Sequence, residues 1–249
     1  MSGHSKWSTI KRKKAANDAA RGKVFTKLIK EITVAARAGG GDEETNPRLR
    51  TAVQAARSAN MPVANVDRAI KKGTGELPGV HYDEIVYEGY TPGGAALIIQ
   101  CLTDNKNRTV ADVRHLLSKH NGNLGETGSV SWNFERRGEI VIDATGMSED
   151  DLMELSLEVG ADDFSLEEGE GTLLCEPSSL QAVQSALEEK KIKIEEADLI
   201  MAPKTTIAIE GKAAEQTLKL MELLEDHDDV QKVYSNFDID PDVMAAFEG

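Results

Sequence analysis

The sequence predicts an α+β fold with three domains: an N-terminal three-helix domain with a basic arm, and two ferredoxin-like α+β domains, the third inserted in the second. Three observations support this prediction. Apolar residues recur with a helical period between residues 24 and 75, strands and helices alternate afterwards, and residues 137–204 contain a complete βαββαβ order. The predicted domains are therefore residues 1–78, residues 79–136 together with 205–249, and the inserted residues 137–204.

The first helix is predicted over residues 24–36. Its apolar side chains follow the spacing i, i+3, i+4, i+7 and form one face: Phe25, Leu28, Ile29 and Ile32. Basic side chains occupy the other side: Lys23, Lys27, Lys30 and Arg37. The three glycines of AGGGDEETNP end the helix, because glycine carries a high cost in backbone entropy and suits a C-cap.

Two further helices complete the N-terminal domain. Asn46 followed by Pro47 is typical of an N-cap and the first residue of a helix. Another helix begins near Pro62. It directs three cations away from its apolar face: Arg68, Lys71 and Lys72. The segment GTGELPG, residues 73–79, closes the domain.

The remaining elements alternate in type. YDEIVYEGY and GAALIIQCL are strand-like and are joined by the turn TPGG. Thr109 with Asp112 three residues later predicts the start of a helix that ends near Asn121 and Gly122, and SVSWNF predicts a strand. The inserted domain is predicted to follow in the order EIVID, helix 148–159, DDFSL, TLLCE, helix 178–190 and IEEADLIMA. The chain ends with strand TTIAIE, helix 213–225 and strand VQKVYSNF.

Charge is distributed very unevenly along the chain. The formal net charge of all 249 residues is −14, but residues 1–80 contain 16 basic and 7 acidic residues, a net charge of +9. The remaining residues contain 13 basic and 36 acidic residues, a net charge of −23. This asymmetry predicts a module that faces a polyanion, attached to an acidic body.

The basic arm is the strongest candidate for nucleic-acid binding. Clustered cations gain affinity for phosphate backbones through counterion release, without a defined geometry. The candidate contacts in and beside the arm are His4, Lys6, Trp7, Lys11, Arg12, Lys13, Lys14, Arg21, Lys23 and Lys27. Trp7 either stacks on an unpaired base or anchors the arm to the core.

Lys106 and Arg108, in DNKNRT between a strand and a helix, complete the candidate set. This segment suits contact with an anion or RNA through its amides and its two cations. It equally suits a capped loop made of good turn formers.

Several classes of protein are disfavoured by the sequence. Cys101 and Cys175 lie in apolar runs without CxxC spacing, which predicts two buried, reduced thiols and a cytoplasmic location. No apolar run is long enough to span a membrane, and no secretory signal is expected. The histidines show no HExxH spacing, and P-loop and GxSxG motifs do not occur, so we expect no cofactor, no metal and no catalysis. EDHDD, residues 225–229, is expected to be a solvated acidic loop rather than a weak cation site.

Several motifs together resemble the YebC/PmpR family, from the first residues to the last. They are GHSKW, KRKKAANDAARGKVFTK, NPRLR, YEGYTPGG, DNKNRTVADVRH, NGNLGETGSVSWNF and LEDHDDVQKVYSN. The resemblance implies an N-terminal helical domain and two α+β domains. It also implies a DNA-binding transcriptional regulator or, as the alternative, a ribosome-associated translation factor that relieves stalls at sequences such as polyproline. The expected partners are DNA or ribosomal RNA, and the ribosome or basic proteins.

Overall fold

The computed structural model describes Trp7 and residues 18–167 and 169–247. The chain divides into two compact units. One is formed by residues 132–204, and the other by the chain before and after this segment. The mixed α+β class is confirmed, with a helical region first and sheet-containing regions after it. The boundaries of the three domains inferred from the sequence stay a prediction.

Within the described residues we number the helices and strands in chain order. The α-helices are α1 (Asp18–Gly39), α2 (Pro47–Ser58), α3 (Val63–Thr74), α4 (Lys106–Lys119), α5 (Glu149–Val159), α6 (Leu180–Glu189), α7 (Gly211–Glu225) and α8 (Pro241–Phe247). The strands are β1 (Asp83–Tyr90), β2 (Ala96–Thr103), β3 (Asn123–Leu124), β4 (Phe134–Asp143), β5 (Asp163–Glu167), β6 (Glu170–Cys175), β7 (Ile194–Pro203), β8 (Ile207–Ala208), β9 (Val230–Ser235) and β10 (Phe237–Asp238). None of the described helices is long and apolar enough to cross a membrane.

Helices α1, α2 and α3 share a core of their own. The fully buried side chains of Ile32 and Leu49 lie in this core, with Phe25, Leu28 and Ile29 packed against it. Asn46 caps α2 as predicted, because its Oδ1 accepts a hydrogen bond from the amide of Leu49 at 3.1 Å. Gly73 belongs to α3 rather than to a closing loop. A Cβ at this position would lie 2.5 Å from the carbonyl oxygen of Thr33 in α1, so the glycine permits a close approach of the two helices.

The first sheet has the strand order β3-β1-β2-β9 with antiparallel neighbours. A core of buried side chains joins β2 and β9 to α4 and α7, with Leu97, Ile99, Val113, Leu218 and Val233 among its members. The strands β8 and β10 form a separate parallel pair. Because β9 follows α7, residues 205–247 complete the sheet that residues 83–124 begin.

The unit of residues 132–204 has the strand order β5-β6-β4-β7, with all neighbours antiparallel. With α5 between β4 and β5, and α6 between β6 and β7, this is the βαββαβ order of a ferredoxin-like domain. Its core contains the buried side chains of Ile140, Leu152, Leu173 and Leu187. Ser148 and Asp151 form a capping box at the start of α5.

Two predicted elements are wrong in detail. Helix α4 begins at Lys106, three residues before the predicted start at Thr109, because Asn105 caps it by accepting the amide of Arg108 at 3.1 Å. The segment SVSWNF is not a strand. Ser131–Asn133 form a single turn of 3₁₀ helix, and β4 begins only at Phe134.

The prediction of buried thiols is confirmed, since Cys101 and Cys175 are both free and buried.

Candidate nucleic-acid interface

The basic side of α1 faces an acidic loop of the protein itself, the segment 225–229 between α7 and β9. Lys23 forms an ion pair with Asp226, with Nζ and Oδ2 3.0 Å apart. Lys27 donates from Nζ to the carbonyl oxygen of Glu225. We call residues 225–229 the acidic loop. It was predicted to be solvated, and this prediction is wrong for Asp229, which is buried where α1 docks, whereas Asp226 and Asp228 are exposed.

Asp229 is the centre of this docking contact. Its carboxylate is buried and accepts hydrogen bonds from Nζ of Lys30 at 2.7 Å, Nη2 of Arg108 at 2.8 Å and Oγ1 of Thr109 at 2.9 Å. Burial alone would raise the pKa of Asp229, but the hydrogen bonds from these three donors outweigh it and hold the pKa far below its usual range. The network joins α1, α4 and the start of β9, so Lys30 and Thr109 act as structural residues.

The two predicted contacts in DNKNRT, Lys106 and Arg108, form ion pairs with carboxylates of the protein itself. Lys106 pairs with Asp83, with Nζ and Oδ1 3.2 Å apart, and Arg108 pairs with both Asp104 at 2.7 Å and Asp229. The side chain of Asn105 occupies one amide at the N-terminus of α4. This geometry is that of a capped loop, and it leaves the two cations neutralised by neighbouring carboxylates.

Trp7 is buried rather than presented to solvent. Its side chain is 4% exposed, it belongs to the core beneath α4 and α7, and its ring centroid lies 6.2 Å from that of Phe247. Its Nε1 donates to Oε2 of Glu225 at 3.2 Å. The ring therefore anchors the chain in the position described here. Because its faces are covered, we leave Trp7 out of the candidate interface.

The other predicted contacts lie in or beside the basic arm. His4, Lys6, Lys11, Arg12, Lys13 and Lys14 lie outside the described residues. Arg21 lies within α1, and only its backbone is described. All of these side chains remain predicted contacts.

Helix α3 carries cations that have no carboxylate partner among the described residues. Arg68, Lys71 and Lys72 stand at i, i+3 and i+4, so they share one side of the helix. In the part of the chain that the structure describes, none of the three has an acidic group within 4 Å. We call these three residues the α3 stripe. The sequence had placed them on the outside of α3 without assigning them to the site.

A shallow groove runs beside the α3 stripe. It has a volume of about 110 Å³ and is lined by Ile29 and Asn65 together with Arg68, Ala69 and Lys72. Its lining thus combines two apolar side chains with two cationic ones. The sequence signal for this surface was the spacing of the cations. What the sequence could not show is that Lys23, Lys27 and Lys30 of α1 contact a segment about 200 residues away, whereas the α3 stripe has no carboxylate partner among the described residues.

Comparison with known proteins identifies the family. The family model described as TACO1/YebC protein N-terminal domain matches residues 5–76, and the model described as TACO1/YebC second and third domain matches residues 82–237. This chain belongs to the TACO1/YebC family. The match to the N-terminal domain contains the α3 stripe, and the match to the second and third domains contains both sheets.

Individual TACO1/YebC relatives match along nearly the whole chain. A "Probable transcriptional regulatory protein" of Desulfotalea psychrophila is 58% identical over 98% of both chains, and one of Geobacter sulfurreducens is 56% identical over 98% of both. Among solved structures, a conserved hypothetical protein from Aquifex aeolicus is 48% identical and has a TM-score of 0.83, with 90% of this chain and 92% of that chain covered. The three-domain architecture of the family is therefore also that of this chain.

The described residues offer no cluster of three His, Cys, Asp or Glu side chains that could hold a metal ion.

The thiol of Cys101 is held in its neutral form, since burial, with the nearby Asp229 carboxylate, raises its pKa to about 12. Glu88, in the YEGYTPGG motif of this TACO1/YebC chain, is buried and accepts the amides of Gly128, Val130 and Ser131 at 2.7–2.9 Å. Its carboxylate therefore fixes a loop.

Proposed function

We propose that this chain is a non-enzymatic, DNA-binding transcriptional regulator of the cytoplasm, and that the α3 stripe contacts the phosphate backbone. The observation that carries the proposal is the absence of an acidic partner for Arg68, Lys71 and Lys72 within the described residues, while the lysines of α1 dock on the acidic loop. Unpaired cations on one side of a helix gain affinity for DNA through release of its counterions. The cations at positions 11–14 add to the positive charge of the same N-terminal domain.

The names of the relatives support the regulatory part of this proposal. The similar proteins of Desulfotalea psychrophila and Geobacter sulfurreducens are both called probable transcriptional regulatory proteins. The contacts proposed here are with phosphate groups, so they supply affinity and position and do not by themselves read a base sequence.

Removal of the α3 stripe tests the proposal. The combined variant Arg68→Ala, Lys71→Ala and Lys72→Ala is expected to bind duplex DNA more weakly and to reduce the slope of log K against log salt by up to about 2.7, at about 0.9 for each phosphate contact. The melting temperature should change little, because the three side chains make no ion pair or side-chain hydrogen bond within the described residues. The measurement is binding of a labelled duplex at several salt concentrations.

The matched control removes three cations from the acidic unit. The variant Lys190→Ala, Lys191→Ala and Lys193→Ala lowers the net charge by the same amount and should leave the slope unchanged. If the α3 variant keeps both the affinity and the salt slope of the wild type, the proposal is wrong.

The second candidate is a ribosome-associated translation factor that relieves stalls at difficult sequences such as polyproline. Charge separation favours it, because residues 132–204 contain 19 acidic and 6 basic residues, and such a unit is repelled by nucleic acid but suits a basic protein surface. Sedimentation of a cell lysate distinguishes the two candidates. A regulator is expected with nucleoid DNA, and a translation factor with ribosomal fractions.

A further inference from the structure

The groove beside the α3 stripe is built from two helices that are held together. Thr33 of α1 joins them, with its Oγ1 2.7 Å from the carbonyl oxygen of Ile29 in α1 and 3.4 Å from that of Ala69 in α3. Gly73 permits the close approach of the same two helices. The groove is therefore preformed, and a ligand does not have to pay for its opening.

Four residues of α3 line the groove and share one side of the helix, because they stand at i, i+3, i+4 and i+7. They are Asn65, Arg68, Ala69 and Lys72. Ile29 supplies the lining from α1. The groove therefore offers an amide, apolar contact and positive charge within about 10 Å along the axis of α3, at about 1.5 Å per residue.

The side-chain amide of Asn65 has no partner within the described residues. Asn65 is partly buried, and its side chain makes no hydrogen bond to another residue in the part of the chain that the structure describes. An asparagine amide carries two N–H donors and one carbonyl acceptor, a set that pairs with the edge of a nucleic-acid base. Contacts of the α3 stripe with phosphates read no base, so Asn65 offers a kind of contact that the stripe lacks.

The size of the groove suits a single ring. A single water needs a cavity of about 10–15 Å³, and an apolar cavity of about 150 Å³ holds a benzene ring. An open groove of about 110 Å³ therefore has room for one ring of a base. A base that is paired and stacked within a duplex cannot enter such a groove, so the ligand has to be an unpaired base.

We propose that the groove binds one unpaired base of a nucleic-acid strand, with Asn65 hydrogen-bonded to the edge of the base. The ring lies against Ile29 and Ala69, and the phosphates on either side meet Arg68 and Lys72. A nucleotide fits this lining better than an acidic peptide does, because it combines a flat ring, a hydrogen-bonding edge and an anion in one unit. The inference rests on the proposed function in taking nucleic acid as the partner, and it adds base recognition at the same site.

Removal of the bases from the ligand tests the contact. The full-length wild type and Asn65→Ala are each titrated with a short labelled single strand that contains all four bases, and with an abasic strand of the same length. The variant is expected to bind the base-bearing strand about 5- to 150-fold more weakly, the range for loss of one good amide–base pair. Both proteins should bind the abasic strand equally, because it keeps the phosphates and offers no base edge.

The controls separate base recognition from charge and from folding. Asn65 carries no charge, so Asn65→Ala should keep the salt slope of single-strand binding, whereas Lys72→Ala should lower it by about 0.7. Asn107→Ala removes an exposed asparagine of α4 and should leave every affinity unchanged. The melting temperature of Asn65→Ala should not fall, because alanine has the higher helix propensity and no hydrogen bond of the side chain to a described residue is lost.

The outcomes separate this inference from the proposed function. If Asn65→Ala binds the base-bearing strand as the wild type does, or loses the same affinity for the abasic strand, the base contact is wrong. Weaker duplex binding after removal of the α3 stripe would then still support the proposed function. Binding of a labelled polyglutamate peptide that Asn65→Ala weakens as much as binding of the strand also overturns the base contact. If the wild type binds neither single strand nor duplex, both proposals fail.

Discussion

At the scale of single residues, Asp229 has the largest expected effect on stability. It places a buried negative charge beside Lys30, whose side chain is also buried. The substitution Asp229→Asn leaves the Lys30 ammonium without a counter-charge, and breaking a buried pair in this way costs about 3–5 kcal/mol of unfolding free energy. Urea unfolding of the wild type and the variant at neutral pH measures this difference.

Asp226→Asn is the matched control in the same loop. Asp226 is 61% exposed and pairs with the partly exposed Lys23, so its loss should cost at most about 1 kcal/mol. If Asp229→Asn is no more destabilising than Asp226→Asn, the network does not hold α1 in place.

The pH dependence of stability follows from the direction of the Asp229 pKa. Its folded-state pKa is lowered, so its contribution is complete above the unfolded-state pKa of about 4 and is lost as the pH falls through the folded-state value. The difference in stability between the wild type and Asp229→Asn should therefore be largest near neutral pH and should shrink below pH 4.

At the scale of elements, the packing of α1 against α3 depends on Gly73. A Cβ at this position would lie 2.5 Å from the carbonyl oxygen of Thr33 and 2.7 Å from Cβ of Ala36. Gly73→Ala is therefore expected to lower the melting temperature, although alanine is favoured over glycine in a helix by about 1 kcal/mol. Thermal unfolding followed by circular dichroism measures the shift.

Substitution of Gly22 in α1 by alanine is expected to have the opposite effect on stability. Among the described residues, a Cβ there would meet nothing within 4 Å, so Gly22→Ala gains helix propensity without a clash and should raise the melting temperature. Equal effects of the two substitutions would mean that the approach of α1 to α3 imposes no constraint.

The predicted and observed helices and strands agree where the sequence signal is local. The apolar period of α1 identified the face that packs on α2 and α3, and the order of strands and helices identified the βαββαβ unit. These signals are local. The second face of α1 could not be assigned, because a row of lysines looks the same whether it faces solvent, nucleic acid or an acidic loop. The start of α4 was misplaced because Asn105 and Thr109 both have capping patterns, and only the position of Asp229 gives Thr109 its role in the network.

Only part of the candidate site could be predicted, because sequence signals are local and the site depends on contacts between distant segments. The positive N-terminal region was visible as net charge, but which of its cations remain unpaired depends on contacts across the fold. The groove beside the α3 stripe was likewise hidden, since its lining comes from two helices, with Ile29 on α1 and Asn65 on α3.

At the scale of the whole molecule, residues 132–204 are expected to fold alone. Their four strands pair only with one another among the described strands, and their core, which includes Ile140, Leu152 and Leu187, is contained within the unit. A fragment of residues 132–204 should therefore unfold cooperatively when followed by circular dichroism. A fragment of residues 18–131 is the contrasting case, because it lacks β9 and leaves one edge of β2 unpaired. A gradual, non-cooperative transition of the first fragment would contradict this expectation.

The contact between Lys30 and Asp229 also sets an order of events during synthesis. The two residues are 199 positions apart. At 5–20 residues per second, a ribosome needs about 10–40 s to add the second after the first. Through that interval α1 has no acidic loop to dock on, and its lysines are open to any polyanion nearby. The strands of the inserted unit are complete at Pro203, so this unit can finish folding before the sheet around it receives its last strand.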